Sequence, residues 1–213
     1  MNKTCISDLE LWDQAMDLGM EGVPIAKLLL CLPTSTYFTD ASGLGIGGYF
    51  LQNGQTWNFK FPPDILAFMT INHLKFLAII VQLLLAEWYY ELNGEHVLIW
   101  INNSTAICWL KKLLRSDKFA LWLHRVLGSI LLHNPFSLWG QHLPRDLNFV
   151  TDALSHSFSV PLKEMINDIC FNCKTHHFNP KNPIYYKELP SHLQHWITTI
   201  LHSIMQGEDL PPV

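Results

Sequence analysis

The sequence predicts an α/β domain, a five-stranded mixed sheet flanked by helices, and three observations lead there. Short runs rich in aromatic and β-branched residues recur at 36–40, 49–51, 56–61, 96–101 and 136–143. Between and after them lie segments with helical apolar spacing at 71–92, 104–114, 118–133 and 148–156. Three strands precede the first long helix and the later strands are each reached through helices, so an antiparallel start should feed a mixed, helix-covered sheet. A chain of 213 residues with 49% hydrophobic content is ample for one core with some chain to spare.

In chain order, Ser7-x-x-Glu10 reads as a capping box opening an N-terminal helix that carries Leu9, Leu11, Trp12, Met16 and Leu18. Gly19 and the Gly22-Val-Pro24 break are expected to end it. The first strand is Thr36–Asp40, the Gly43, Gly45, Gly47 and Gly48 cluster is expected to bend the chain into Tyr49–Leu51, and Asn53-Gly54 is a hairpin signal before Thr56–Phe61. Pro62-Pro63 closes that sheet. Ile71 to Leu92 is continuously apolar at helical spacing, with Asn93-Gly94 as a stop. His96–Ile101 reads as a buried strand, Ser104–Leu114 as a helix capped by Asn103 or Ser104, and Lys118–His133 as an amphipathic helix ended by Asn134-Pro135. Phe136–Leu143 is the fifth strand and Asn148–His156 a short helix. Residues 159–213 contain Pro161, Pro180, Pro183, Pro190, Pro211 and Pro212, which predicts an irregular linker with one amphipathic helix near Ser191–Met205, set apart from the core.

Net charge is −4, from 14 Lys+Arg against 18 Asp+Glu, so no global basic field marks a nucleic-acid binder and any such binding must come from a local patch or a partner domain. The N-terminus lacks the apolar stretch of a secretory signal. The longest apolar run, Phe76 to Ala86, is far short of the ~20 residues of a membrane span and reads as buried helix, so no membrane partner is expected. Five scattered cysteines without an export signal suggest reduced thiols in an intracellular protein, cytoplasmic or nuclear. On that reading the glycosylation patterns at Asn102 and Asn103 are without consequence.

Four blocks carry a family resemblance. They are Tyr37-Phe-Thr-Asp-Ala-Ser at the first strand, Ile71-Asn-His-Leu-Lys-Phe-Leu-Ala78, Asn102-Asn-Ser-Thr-Ala106, and Gln141-His-Leu-Pro-Arg-Asp-Leu-Asn148 followed by Thr151-Asp-Ala-Leu-Ser-His156. In order and spacing, residues 34–158 resemble the RNase H-like domain of a retroelement reverse transcriptase polyprotein of the DIRS-like type. That family reads Asn-x-Leu-Glu-Phe/Leu-Leu-Ala, Asp-Asn-Thr/Ser-x-Ala and His-Ile-Pro-Gly-x-x-Asn-x-x-Ala-Asp-x-Leu-Ser-Arg in the last three blocks. Arg145 replaces the usual Gly and His156 the usual Arg. The tail Leu189-Pro-x-x-Leu-x-x-Trp-Ile-x-x-Ile-Leu201 is similar to the segment that follows the nuclease domain. Residues 1–33 would then be an N-terminal helix and linker ending the polymerase connection, and 159–213 a C-terminal linker and helix.

The resemblance implies a site as well as a fold. Asp40 and Asp152 take the places of the first and last metal-binding acids, and His142 that of a mobile histidine assisting product release or proton transfer. Lys75 stands where the family has a glutamate and Asn102 where it has an aspartate. RNase H enzymes cut the RNA strand of an RNA–DNA hybrid with two Mg²⁺ ions roughly 4 Å apart, and such hard cations need several carboxylates. A full set supplies about −4, whereas Asp40, Lys75, Asn102 and Asp152 sum to about −1. The expectation is an internal salt bridge from Lys75 to Asp40 or Asp152, with Mg²⁺ binding weak or lost.

Three functions follow from this reading. The first is a degenerate RNase H-like domain that binds an RNA–DNA hybrid or other nucleic acid without hydrolysis, next to an upstream polymerase domain. The second is an active Mg²⁺-dependent RNase H that recruits another acid, Asp64, Glu87 or Asp146. The third is a non-catalytic structural or protein-interaction module. Lys111, Lys112 and Arg115, followed by Lys118 and Arg125, form the one basic cluster able to meet a phosphate backbone. Cys170-x-x-Cys173-x-x-His176-His177 has zinc-ligand types but too short a loop for a structural finger, so a compact coil with incidental thiols is expected. Trp57, Trp88, Trp100, Trp109, Trp122 and Trp139 fall mostly on apolar faces and read as core.

Overall fold

The computed structural model describes residues 3–21, 31–111, 118–134 and 136–210. In chain order the elements are α1 (Lys3–Glu21), β1 (Ser35–Ala41), β2 (Gly45–Phe50), β3 (Gln55–Lys60), α2 (Ile71–Tyr89), β4 (His96–Ile101), α3 (Ser104–Lys111), α4 (Lys118–His133), β5 (Ser137–His142), α5 (Phe149–His156), α6 (Leu162–Thr175), β6 (Tyr185–Tyr186) and α7 (Ser191–Gln206). The strands form one mixed sheet in the order β5-β4-β1-β2-β3-β6. β1–β2 and β2–β3 pair antiparallel, as the hairpin signals predict, and β1–β4, β4–β5 and β3–β6 pair parallel.

Period-two alternation divides the sheet's side chains between two cores. Along β2, Ile46 and Phe50 enter the larger one, with Leu74, Leu77 and Val81 of α2, Leu123 of α4 and Ile197 and Leu201 of α7. Tyr49 faces the smaller one, with Val150 and Leu154 of α5 and Met165, Ile169 and Cys173 of α6. α2 is apolar almost all round because protein surrounds it. It is long and apolar enough to cross a membrane, but 67% of its most apolar window is buried inside the fold. Thr70 starts it with a capping box, accepting from His73 N while Thr70 N donates to His73 Nδ1 at 3.2 Å.

Several expectations are corrected. Of the glycine cluster only Gly43 lies in the bend between β1 and β2; Gly45, Gly47 and Gly48 lie inside a fully buried strand, where the lack of a side chain lets helices approach. A Cβ on Gly47 would stand 2.5 Å from Leu154 Cβ of α5, and one on Gly48 would stand 2.2 Å from Gln82 Oε1 of α2. α1 begins at Lys3, so Ser7 and Glu10 sit within it instead of capping it, and it continues through Gly19. Cys170 and Cys173 lie on α6, not in a coil.

The sheet has six strands where five were expected. The sixth is the two-residue β6, too short to register as a sequence pattern, which pairs Tyr185 with Gln55 and Tyr186 with Thr56. Nor is the segment after residue 158 a linker with one detached helix. It carries α6, β6 and α7, and Trp196 of α7 stacks on Trp122 with ring centroids 5.9 Å apart. Pro161, Pro180, Pro183 and Pro190 mark the turns between these elements correctly, while Pro211 and Pro212 lie outside the described residues. What their number obscured is the stripe Leu189, Leu193, Ile197, Ile200 and Leu201, which needs an apolar surface to cover it and finds one on the larger core.

Two predictions follow from this packing. Ile197→Ala and Leu201→Ala should each cost about 2–5 kcal/mol in urea denaturation, because both side chains are fully buried; losses under ~1 kcal/mol would show that α7 is dispensable to the core. Burial also raises the Tyr37 and Tyr49 phenols from 10.0 to about 12. Their contribution to stability is present below pH 10.0 and lost as pH rises through about 12. Urea midpoints measured across that window should fall, and Tyr49→Phe should blunt the fall.

Candidate functional site

Asp40 lies one residue from the end of β1, at the middle of the sheet, and is only 1% exposed. The parallel pairing of Phe38 with Trp100 brings the carboxyl ends of β1 and β4 level, so Asn102, just past β4, stands beside it. Carboxyl ends of neighbouring parallel strands are where α/β sheets usually present their ligand-binding groups. Lys75 points in from the second turn of α2. Asn148, at the start of α5, arrives from the opposite layer.

These residues saturate the Asp40 carboxylate. Its Oδ1 accepts the Ala41 backbone N–H at 2.7 Å and Lys75 Nζ at 2.6 Å. Its Oδ2 accepts Asn102 Nδ2 at 3.1 Å and Asn148 Nδ2 at 3.0 Å. Lys75 Nζ also donates to Asn102 Oδ1, and Asn148 Oδ1 accepts from Thr151 Oγ1 at 2.7 Å, so both amides are used at each end. A carboxylate has about four acceptor positions, and all four are filled by protein. The ion pair is largely withdrawn from solvent, with side-chain exposures of 12% for Lys75 and 2% for Asp40.

The neighbouring Asn103 buttresses this corner. Its Oδ1 caps α3 by accepting Ala106 N at 2.7 Å, and its Nδ2 donates to Asn72 Oδ1 of α2 at 2.9 Å. The cap expected at 103 or 104 is thus Asn103.

The other predicted site residues are distributed as follows. Asp152 N donates to Asn148 O at 3.0 Å, so Asp152 lies one helical turn beyond the residue that touches Asp40. Its carboxylate is partly exposed, with Oδ1 3.8 Å from His156 Nδ1, and it takes no part in the Asp40–Lys75–Asn102 contacts. His142 is exposed at the end of β5, paired with Ile101 and so at the same end of the sheet as Asn102. Lys111 is exposed at the end of α3. Lys112 and Arg115 lie outside the described residues. Glu87 is at the far end of α2, where its Oε1 accepts from Asn134 Nδ2 at 3.0 Å. Twelve residues of helix, about 18 Å, separate it from Lys75.

The donor set does not fit a pair of Mg²⁺ ions. The buried Asp40 carboxylate has no free acceptor position, an ammonium holds the ground between it and Asn102, and the cluster of Asp40, Lys75 and Asn102 is neutral as it stands. Among the described residues no three His, Cys, Asp or Glu side chains converge to hold a metal ion. That includes the Cys170/Cys173/His176/His177 group. There, burial pushes the Cys173 thiol up to about 11, and the His176 ring lies flat on Phe149, with centroids 4.9 Å apart.

Asn148 and Thr151 are the site residues that sequence reasoning missed. Asn148 was visible as part of the fourth block, and its place four residues before Asp152 on one helix face was the available signal. Thr151 had none, since its role is to hold the Asn148 amide.

If the pair anchors this corner, Lys75→Met should cost about 3–5 kcal/mol by leaving a buried carboxylate uncompensated. The double variant Lys75→Met/Asp40→Asn should recover much of that loss. Chemical denaturation of both reads the result, and a single variant within ~1 kcal/mol of the native chain would show the pair to be structurally idle.

No family model and no curated protein matches the sequence. Among solved structures, LC11-RNase H1 in complex with an RNA/DNA hybrid is similar at 17% identity, covering 57% of this chain and 93% of that one, with a TM-score of 0.47. RNase H1 from the halophilic archaeon Halobacterium salinarum is similar at 17% identity, covering 63% and 98%, with a TM-score of 0.45. The N-terminal RNase H domain of a Mycobacterium tuberculosis protein, fused to maltose-binding protein, shows 10% identity, covering 64% and 99%, with a TM-score of 0.40.

Proposed function

We propose that this chain is an RNase H-like domain of retroelement descent in which an internal ion pair has replaced the metal cluster, so that it holds an RNA–DNA hybrid without cutting it. The observation that carries this reading is the saturation of Asp40 by Ala41 N, Lys75, Asn102 and Asn148. The four signature blocks within 34–158 support the descent, since each of them supplies one of those contacts. The native setting on this reading is a polyprotein with a polymerase domain upstream. Hybrid binding would rest on backbone and 2′-hydroxyl contacts, which tolerate the loss of the acids because those contacts lie outside the cleavage chemistry. The exposed Lys111 and Lys118 are described members of the basic cluster that would serve them.

A second reading, a non-catalytic module that docks a protein, is favoured by the apolar side chains next to the site. Leu44, Leu66, Phe68, Ile71 and Leu147 are between 37% and 55% exposed. Leu44 follows β1, Ile71 opens the helix that carries Lys75, and Leu147 adjoins Asn148. Phosphate backbones do not reward such side chains.

Cleavage and binding assays on a labelled RNA–DNA hybrid test the proposal. The native chain should bind in a salt-sensitive manner and show no Mg²⁺- or Mn²⁺-dependent cutting. Lys75→Glu alone adds one acid and Asn102→Asp alone keeps the ammonium, so only the double variant approaches the charge that two ions require. Any gained activity should therefore appear in the double variant and vanish when Asp40→Asn is added. Metal-dependent cutting by the native chain, abolished by Asp40→Asn, would overturn the inactive reading. Absence of hybrid binding by a folded chain would favour the docking module.

A further inference from the structure

α1 carries an apolar stripe that the fold leaves uncovered. Leu9, Trp12, Met16 and Met20 are 56%, 69%, 66% and 87% exposed. They recur at spacings of three and four, so they share one face of the helix and run along it for about 16 Å. The helix packs on α4 through a different face, where Leu11 and Ala15 are half-buried. Single exposed apolar residues are ordinary on a protein surface, whereas an aligned row of four large ones including a tryptophan marks a contact surface.

The charges beside the stripe identify its occupant. α1 contains five acids and one lysine. Glu10, Asp13 and Asp17 are exposed along one flank of the stripe. A second copy docking α1 against α1 would set these carboxylates against their own kind, which disfavours self-association. An anionic membrane surface is disfavoured for the same reason. We infer that α1 receives an amphipathic helix of another protein, one that presents apolar residues at three- and four-residue spacing and Lys or Arg along the flank that meets Glu10, Asp13 and Asp17. This surface lies on α1, apart from the Asp40 cluster, and does not depend on the function proposed for that cluster.

The test uses the full chain and two labelled synthetic helical peptides of about 18 residues with the same leucine row, one carrying lysines and one glutamates on the flanks. Fluorescence anisotropy should show binding of the lysine peptide and not of the glutamate peptide. Trp12→Ser/Met16→Ser should weaken that binding by about tenfold or more while leaving the thermal transition in place, since both side chains are exposed. Asp13→Lys/Asp17→Lys should turn the preference toward the glutamate peptide. Failure of the lysine peptide to bind, or equal binding by the Trp12→Ser/Met16→Ser variant, would overturn the inference. So would a native dimer in sedimentation that this variant dissolves, which would make a second copy the occupant, or binding to phosphatidylserine vesicles that this variant loses, which would make it a membrane.

Discussion

Burying the Asp40 carboxylate is the constraint around which the structure is arranged. An ionised group at the centre of a sheet is tolerable only when every acceptor position is filled and its charge is offset. The donors come from β1 itself, from α2 on one layer, from the end of β4 and from α5 on the other layer. Each arrival has a geometric precondition. Lys75 requires the capped start of α2, Asn102 requires the β1–β4 register, and Asn148 requires α5 to lie close against β2, which Gly47 permits. Since a buried pair of this kind gives little net stability over a well-packed apolar substitute, its effect is chiefly on specificity: a shift in any one of these elements leaves a charge or an amide unpaired.

The same contacts decide what chemistry the cluster can support. A divalent pair needs oxygen ligands with several negative charges and open acceptor positions. Lys75 does the opposite on both counts, since it cancels the Asp40 charge and consumes oxygens on both Asp40 and Asn102. Asp152, the other acid, is left at the solvent edge near His156. The geometry is that of a closed polar network, satisfied from within.

Much of this was legible in the sequence, for reasons particular to each residue. β4 could be placed to the residue because its apolar run is bounded by Gly94 and by the Asn102-Asn103 pair. Asp40, Lys75 and Asn102 could be grouped because each sits in a block of its own with recognisable neighbours. The glycines of β2 were misread because a glycine run is locally a bend signal, and only the helices packed on either side reveal that it is a contact surface. Asn148 was overlooked because its neighbour Asp152 carries the charge, although the uncharged amide is the one that reaches Asp40. The exposed face of α1 could not be told from a core face, because apolar spacing reports that a helix is amphipathic and not what it packs against.

The C-terminal quarter shows why a proline count is a poor guide to domain limits. β3 without β6 would be an edge strand with unpaired backbone groups, and the hydrogen bonds from Tyr185 N to Gly54 O and from Lys187 N to Thr56 O cover part of that edge. α6 lays Met165, Ile169 and Cys173 against Val150 and Leu154 of α5. α5 in turn presents Asn148 to Asp40, so the position of the amide at the buried carboxylate is set partly by residues that follow it by more than a dozen places. The four sequence blocks that meet at Asp40 therefore end before the elements that hold this central cluster in place. A segment read from its prolines as an appendage supports the site from behind.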